Sequence, residues 1–136
     1  MEVSNGSFWR SFLGIFVGFL SALIIIQFLE GLGHRIFPMP EDLNLEDMEA
    51  FSNYVKQLSF KELLPVLLAH FLSAFIGCMI GLKIARGAKI VAYFVGGLVL
   101  LGALMNLYLI THPLWFMVAD VLLVIIGVIL ALGKKN

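Results

Sequence analysis

The sequence predicts an all-α polytopic membrane protein, a four-helix transmembrane bundle with a short extracytoplasmic amphipathic helix. Three observations carry that prediction. Four apolar runs are bracketed by polar residues: Arg10 to Glu30, Glu62 to Lys83, Lys89 to Thr111 and Pro113 to Lys134. Each is long enough to cross a hydrocarbon core of ~30 Å as a helix. The 136 residues, room for one domain, are 61 % apolar and 13 % charged. In water, helices apolar on every side would expose large patches, whereas in lipid such faces are the normal state. Finally, a net charge of zero hides a segregation by loop. Arg10, Lys83, Arg86, Lys89, Lys134 and Lys135 lie at the two chain ends and between the second and third runs, while Glu41, Asp42, Glu46, Asp47 and Glu49 crowd the first loop. By the positive-inside rule both termini are cytoplasmic and the acidic loop faces outward.

The first span covers about residues 9–30, with Trp9 at the inner interface and a continuation toward Phe37. Pro38-Met39-Pro40 stops it, because a residue before proline avoids helical geometry. Its apolar stretch exceeds a signal h-region and no small-x-small cleavage site precedes Glu30, so it reads as a retained anchor. The outer loop, about residues 38–60, holds the short helix. Asn44 is its expected N-cap, with Glu46, Asp47 and Glu49 favourable in the first turn. Met48, Phe51, Val55 and Leu58 recur at helical spacing as one apolar stripe, so the helix lies along the membrane surface or caps the bundle, as a lid over helix ends or as a substrate gate.

The second span covers about 62–83, with Pro65 in its first turn, where a missing N–H costs nothing. Gly87 marks the inner turn. The third span (about 89–110) and the fourth (about 114–132) are joined by Thr111-His112-Pro113, so they form an antiparallel pair. Tyr108 and Trp115 fall where an outer aromatic belt is expected. The two halves share a hairpin plan without the residue-level repeat that marks the inverted symmetry of transporters.

Small residues recur every four positions in the second span, at Ala69, Ser73, Gly77, Gly81 and Ala85. That spacing opens a groove into which a neighbouring backbone fits. Gly14, Gly18 and Ala22 repeat it in the first span, Ala88, Ala92 and Gly96 in the third, and Gly127 with Ala131 in the fourth. Packing within the bundle is the expected use. Self-association or a membrane-complex partner is the alternative, because grooves on every span leave surplus close-packing surface.

Polar groups inside the spans gather in the outer half. On a rise of 1.5 Å per residue, His70 lies about 12 Å in from Glu62, Asp120 about 10 Å in from Pro113 and Asn106 about 8 Å below Thr111. Helical phase puts His70 with Gly77 and Gly81, Asp120 with Gly127 and Ala131, and Asn106 over Gly102 and Ala103. Those faces turn toward neighbouring helices. Gln27, Glu30 and His34 share a face that does not align with Gly14 and Gly18. An Asp–His pair in low dielectric passes protons near neutral pH. His70 and Asp120 with Glu30, His34 or His112 are weak candidate ligands for a divalent metal. Interhelical hydrogen-bond glue, worth ~0.6 kcal/mol per contact, is the plainer role. The ligand or proton-binding candidates are therefore Glu30, His34, His70, Asn106 and Asp120, with Gly14, Gly18, Ser73, Gly77, Gly81 and Gly127 as packing residues. No His-Glu-x-x-His, no paired cysteine (Cys78 is alone) and no two-histidine ladder for haem occur. No cofactor and no nucleic-acid partner are expected.

The stretch EGLGHRIFPMPEDLNLEDMEAF, with NLYLITHPLWF later, resembles a group of small four-span bacterial membrane proteins. They share a Glu and a Gly-His near the end of the first span, a Pro-x-Pro loop, and an Asn followed by His-Pro-x-Trp at the last turn. Here these are Glu30, Gly33-His34, Pro38 and Pro40, Asn106, and His112-Pro113 with Trp115. The resemblance implies a bacterial cytoplasmic membrane and brings no reaction with it. The leading expectation is thus a non-enzymatic structural or accessory subunit in the lipid bilayer. A small carrier or ligand- and proton-binding protein using an outer polar pocket is the second. A membrane enzyme with an outward-facing site is the third, and it lacks a recognisable nucleophile and base. A four-span multidrug exporter fits poorly, because its essential carboxylate lies mid-membrane in a first span that is apolar here.

Overall fold

A computed structural model describes residues 5–134 as five α-helices: α1 (Asn5–Ile36), α2 (Met48–Lys56), α3 (Phe60–Ile84), α4 (Lys89–Leu109) and α5 (Leu114–Gly133). Lys135 lies outside the described residues. α1, α3, α4 and α5 are each long and apolar enough to cross a membrane, so the chain is a multi-pass membrane protein built as a four-helix bundle. α3 packs against α1, α4 and α5, and α4 packs against α1 and α5. α1 and α5 thus flank the α3–α4 pair on opposite sides with no packed seam between them. α3 and α5 both start at the α2 end of the bundle and run parallel.

The α1–α3 seam is a contact between backbones. A Cβ built on Gly14 would lie 2.7 Å from the Gly81 carbonyl oxygen, and one on Gly18 would lie 2.7 Å from that of Gly77. The relation is reciprocal, since a Cβ on Gly77 would lie 2.8 Å from the Gly18 oxygen and one on Gly81 2.9 Å from that of Gly14. Only glycine tolerates this approach. Ala22 continues the seam, fully buried, and Gly127 brings α5 against the α3 backbone at Phe71. Gly96 accommodates the Val128 side chain in the α4–α5 contact. The expected packing faces are therefore consumed inside the bundle. Gly102 is the exception. It faces open space, so Asn106 stacks above a packing face at Ala103 only.

Two local expectations are corrected. The N-cap of α2 is Asp47, not Asn44: its Oδ1 accepts from the Glu49 and Ala50 N–H groups at 3.0 and 3.1 Å. Asn44 closes the preceding turn instead, accepting from the Glu46 N–H at 3.0 Å. Both side chains suit either task, and an extended backbone immediately before Met48 selects Asp47. Pro65 lies in the second turn of α3, not the first, because the helix starts at Phe60. Ser59 begins it there, its N–H and hydroxyl both donating to the Glu62 carboxylate, at 2.8 and 2.6 Å. Pro65 leaves the Lys61 carbonyl without its helical donor. Its ring presses on α1 where a Cβ at Gly33 would lie 2.6 Å from the Pro65 Cβ.

α1 runs past Glu30 to Ile36, and the Phe37 N–H closes its last turn on the Gly33 carbonyl at 2.8 Å before Pro38. α3 ends where the Gly87 N–H bonds the Leu82 carbonyl at 2.8 Å, with Arg86 at φ 52° in the left-handed position glycine normally takes. α2 caps the bundle as its stripe implies. Val55 is buried, with Phe51 and Leu58 packed onto Leu63, Leu67, Leu107 and Phe116. Met48, the first residue of that stripe, is exposed. The Ser52 hydroxyl accepts from the Thr111 N–H at 3.2 Å and ties α2 to the α4–α5 turn.

The seam yields a direct test. Gly18→Val should cost about 2 kcal/mol or more by forcing backbones apart. Gly102→Ala, into open space, should change stability by less than ~0.5 kcal/mol. Thermal unfolding in lipid nanodiscs reads both.

Candidate functional site

His70 lies ten residues into α3, and Asp120 lies in the second turn of α5. α3 and α5 run parallel from the α2 end with their starts staggered by about one turn, so the two reach the same depth. His70 Nδ1 is 2.7 Å from Asp120 Oδ1, with Asp120 0 % and His70 5 % exposed. A carboxylate only accepts, so Nδ1 carries the proton and donates it. The other ring nitrogen, Nε2, faces Glu30 Oε1 at 3.8 Å. This is too long for a direct hydrogen bond and suits a bridging water. Glu30 on α1 and Asp120 on α5 sit on helices without a common seam, and His70 lies between them.

The second oxygen of Asp120, Oδ2, is buried without a hydrogen-bond partner among the described residues. An unmatched carboxylate oxygen is costly at membrane depth. Breaking a buried pair by deleting one partner typically costs 3–5 kcal/mol, yet replacing both with apolar groups is often neutral. Folding alone therefore gives no reason for this pair. Ser73 is close in sequence, but its hydroxyl donates to the His70 carbonyl at 2.9 Å. It is not aligned on the imidazole as a nucleophile would be.

A cavity of about 150 Å³ lies between α2 and the bundle end. Its polar lining comes from every side: Glu30 and His34 of α1, Tyr54 of α2, Glu62 of α3, Asn106 of α4, and His112 of the α4–α5 turn. Phe37, Phe51 and Leu63 supply apolar wall. The side chains of Glu30, His34 and Asn106 make no direct hydrogen bond among the described residues. His112 is anchored, its Nδ1–H donating to the Ile110 carbonyl at 2.7 Å and its ring stacked on Phe116 at 4.7 Å. Burial pushes the His112 pKa below the ordinary histidine value, a fall partly countered by the Ile110 carbonyl and Asp120. Burial and then the nearby Glu62 charge raise the Tyr54 phenol, which stays a donor.

Of the residues singled out from sequence, Glu30, His70 and Asp120 line up as one chain of side chains, hydrogen-bonded between His70 and Asp120 and open at 3.8 Å between Glu30 and His70. His34 and Asn106 line the cavity above it without joining that chain. Gln27 is exposed and off the lining, despite sharing the expected face with Glu30 and His34. No group of three potential metal ligands assembles among the described residues. A metal held by both Nδ1 and Oδ1 would need about 2.0 Å on each side and spread them apart, whereas they touch directly. Glu62 and Tyr54 were not anticipated as lining residues. The Ser59-x-x-Glu62 spacing is a legible capping signal for the first. Nothing in the sequence marks the second.

His112 makes a pH prediction. Its folded pKa lies below its unfolded value, so the unfolded chain binds the extra proton. The stabilisation is complete above about pH 6.5 and is lost as pH falls through the folded value. His112→Gln should flatten the acid side of the unfolding profile in nanodiscs, by at most about 1.4 kcal/mol per pH unit. No protein-family model, curated protein or solved structure matches this chain, so its function is read from the geometry alone.

Proposed function

We propose that this chain is a small carrier or receptor that binds a small ligand in the cavity beneath α2. Occupancy is coupled to a proton held along Glu30, His70 and Asp120. One observation supports this above all: Glu30, His34 and Asn106 line the cavity and make no side-chain hydrogen bond among the described residues. Buried polar side chains normally pair with one another. Here the half-buried Glu30 and Asn106, with the exposed His34, face a shared space instead of each other. Interhelical glue would show closed hydrogen bonds. His70, held by Asp120 at Nδ1, exchanges a proton at Nε2 with Glu30, directly or relayed through a bridging water, and its imidazolium lies between two carboxylates. A ligand that changes the charge beside Glu30 shifts that proton.

Arg10, Lys83, Arg86, Lys89 and Lys134 share the bundle end opposite α2, which supports cytoplasmic termini and an outward-facing cavity. The resemblance to small four-span bacterial proteins supports the cytoplasmic membrane of a bacterium as its location. A second reading is an accessory subunit that self-associates or joins a membrane complex. It draws on an apolar cleft between α4 and α5, lined by Leu104, Tyr108, Leu114, Val118 and Leu122. The glycine faces lend it no further support, since the bundle occupies them.

Glue and binding site make opposite predictions. If the cavity groups are kept for a ligand, Glu30→Gln and Asn106→Leu should leave stability in nanodiscs within ~1 kcal/mol of wild type or raise it. A loss above ~2 kcal/mol in both would mean they hold the helices together, and the proposal would fail.

A further inference from the structure

We infer that the occupant of this cavity is a small organic ammonium cation, seated against Glu30 with aromatic faces around its alkyl groups. The inference rests on the pocket reading above and adds the chemical class. The first argument is charge. The lining contributes two carboxylates, Glu30 and Glu62, and no lysine or arginine. Glu62 is partly engaged by Ser59, so Glu30 is the group with free acceptor capacity. An anion would meet two like charges in a site of low dielectric, which is strongly unfavourable.

The second argument is the wall. Phe37, Phe51 and Tyr54 line the same cavity. Aromatic faces attract a desolvated cation, a preference that quaternary and primary ammonium groups share. A bare metal ion would need several oxygen or imidazole ligands at short range, and no such cluster assembles among the described residues. The third argument is size. A cavity of about 150 Å³ holds a molecule the size of benzene, which limits the occupant to roughly six heavy atoms. At the same end of the bundle, Glu41, Asp42, Glu46 and Glu49 are exposed on the loop leading into α2 and on its first turn, and they raise the local concentration of cations.

Proton linkage follows from the same geometry. The titratable groups turned toward the occupant are Glu30 and His34 from α1, Tyr54 from α2, Glu62 from α3, and His112 from the turn, with His70 of α3 behind Glu30. Asp120 of α5 lies behind His70, and α4 offers only the neutral Asn106. The cation favours an ionised Glu30 and opposes a second positive charge on His70 Nε2. Binding therefore expels a proton, and affinity weakens as pH falls.

The test is calorimetry on the full chain in nanodiscs, using choline and its neutral carbon isostere 3,3-dimethylbutan-1-ol. Choline should bind at least tenfold tighter than the isostere at pH 8 and weaken toward pH 5. Glu30→Gln should erase the difference. Phe51→Leu, on the lid and outside the spans, should weaken choline about three- to tenfold and leave the alcohol unmoved. If the alcohol binds as tightly as choline to wild type and to Glu30→Gln, the cavity is a ligand site but the cation assignment is overturned. If neither compound binds at millimolar concentration, nor shifts the ring resonances of Tyr54 and His112, the pocket reading and the cation assignment fall together.

Discussion

The close approach of α1 and α3 sets the positions of everything else. Carbonyl oxygens at Gly14, Gly18, Gly77 and Gly81 rest where side chains would otherwise stand. Two backbones in such contact cannot slide without collision, so the register of α1 against α3 is fixed. Gly33 against Pro65 repeats the constraint near the α2 end. Glu30 lies one turn before Gly33, at the edge of the seam, and faces His70. A rotation of α1 large enough to withdraw Glu30 would also drive α1 into Pro65. The position of this carboxylate is thus a consequence of packing at residues that carry no chemistry.

Lipid then decides how the polar residues behave. With no water in the hydrocarbon core, an ionisable group must find a partner or lose its charge. Asp120 finds His70, and one of its oxygens still goes without a partner. A third group, Glu30, is held just beyond hydrogen-bond reach of the same imidazole. This is an arrangement with one tight contact and one loose one. A stability element would close both. The proton exchange proposed above uses the open one, on the side of Glu30 that faces the cavity.

Much of this was legible in the sequence, and the rest was not for identifiable reasons. Run lengths settle the spans because bilayer thickness is fixed, and the four-residue spacing of small residues settles the packing faces. Counting rise per residue puts His70 and Asp120 at one depth, and the 2.7 Å contact agrees with it. Helix order was not legible, because which apolar face meets which depends on shape alone. Glu30 is legible as a candidate but its inward aim is not, because it is out of phase with Gly14 and Gly18 and the glycine beside it on the seam is Gly33. The cavity escaped because it belongs to the gap between α2 and four other segments. Asn44 and Asp47 compete for one cap with the same chemistry, and only backbone geometry separates them.

The account stands on His70 joining Glu30 and Asp120 into a single titrating unit. The most direct measurement is nitrogen-15 NMR of histidine-labelled protein in nanodiscs, with His70 assigned by a His70→Gln control among the three histidines. The account predicts an imidazole protonated at Nδ1 in the neutral form, with a titration that moves when Glu30 is changed to Gln. A His70 protonated at Nε2, or one whose titration is indifferent to Glu30, would contradict it.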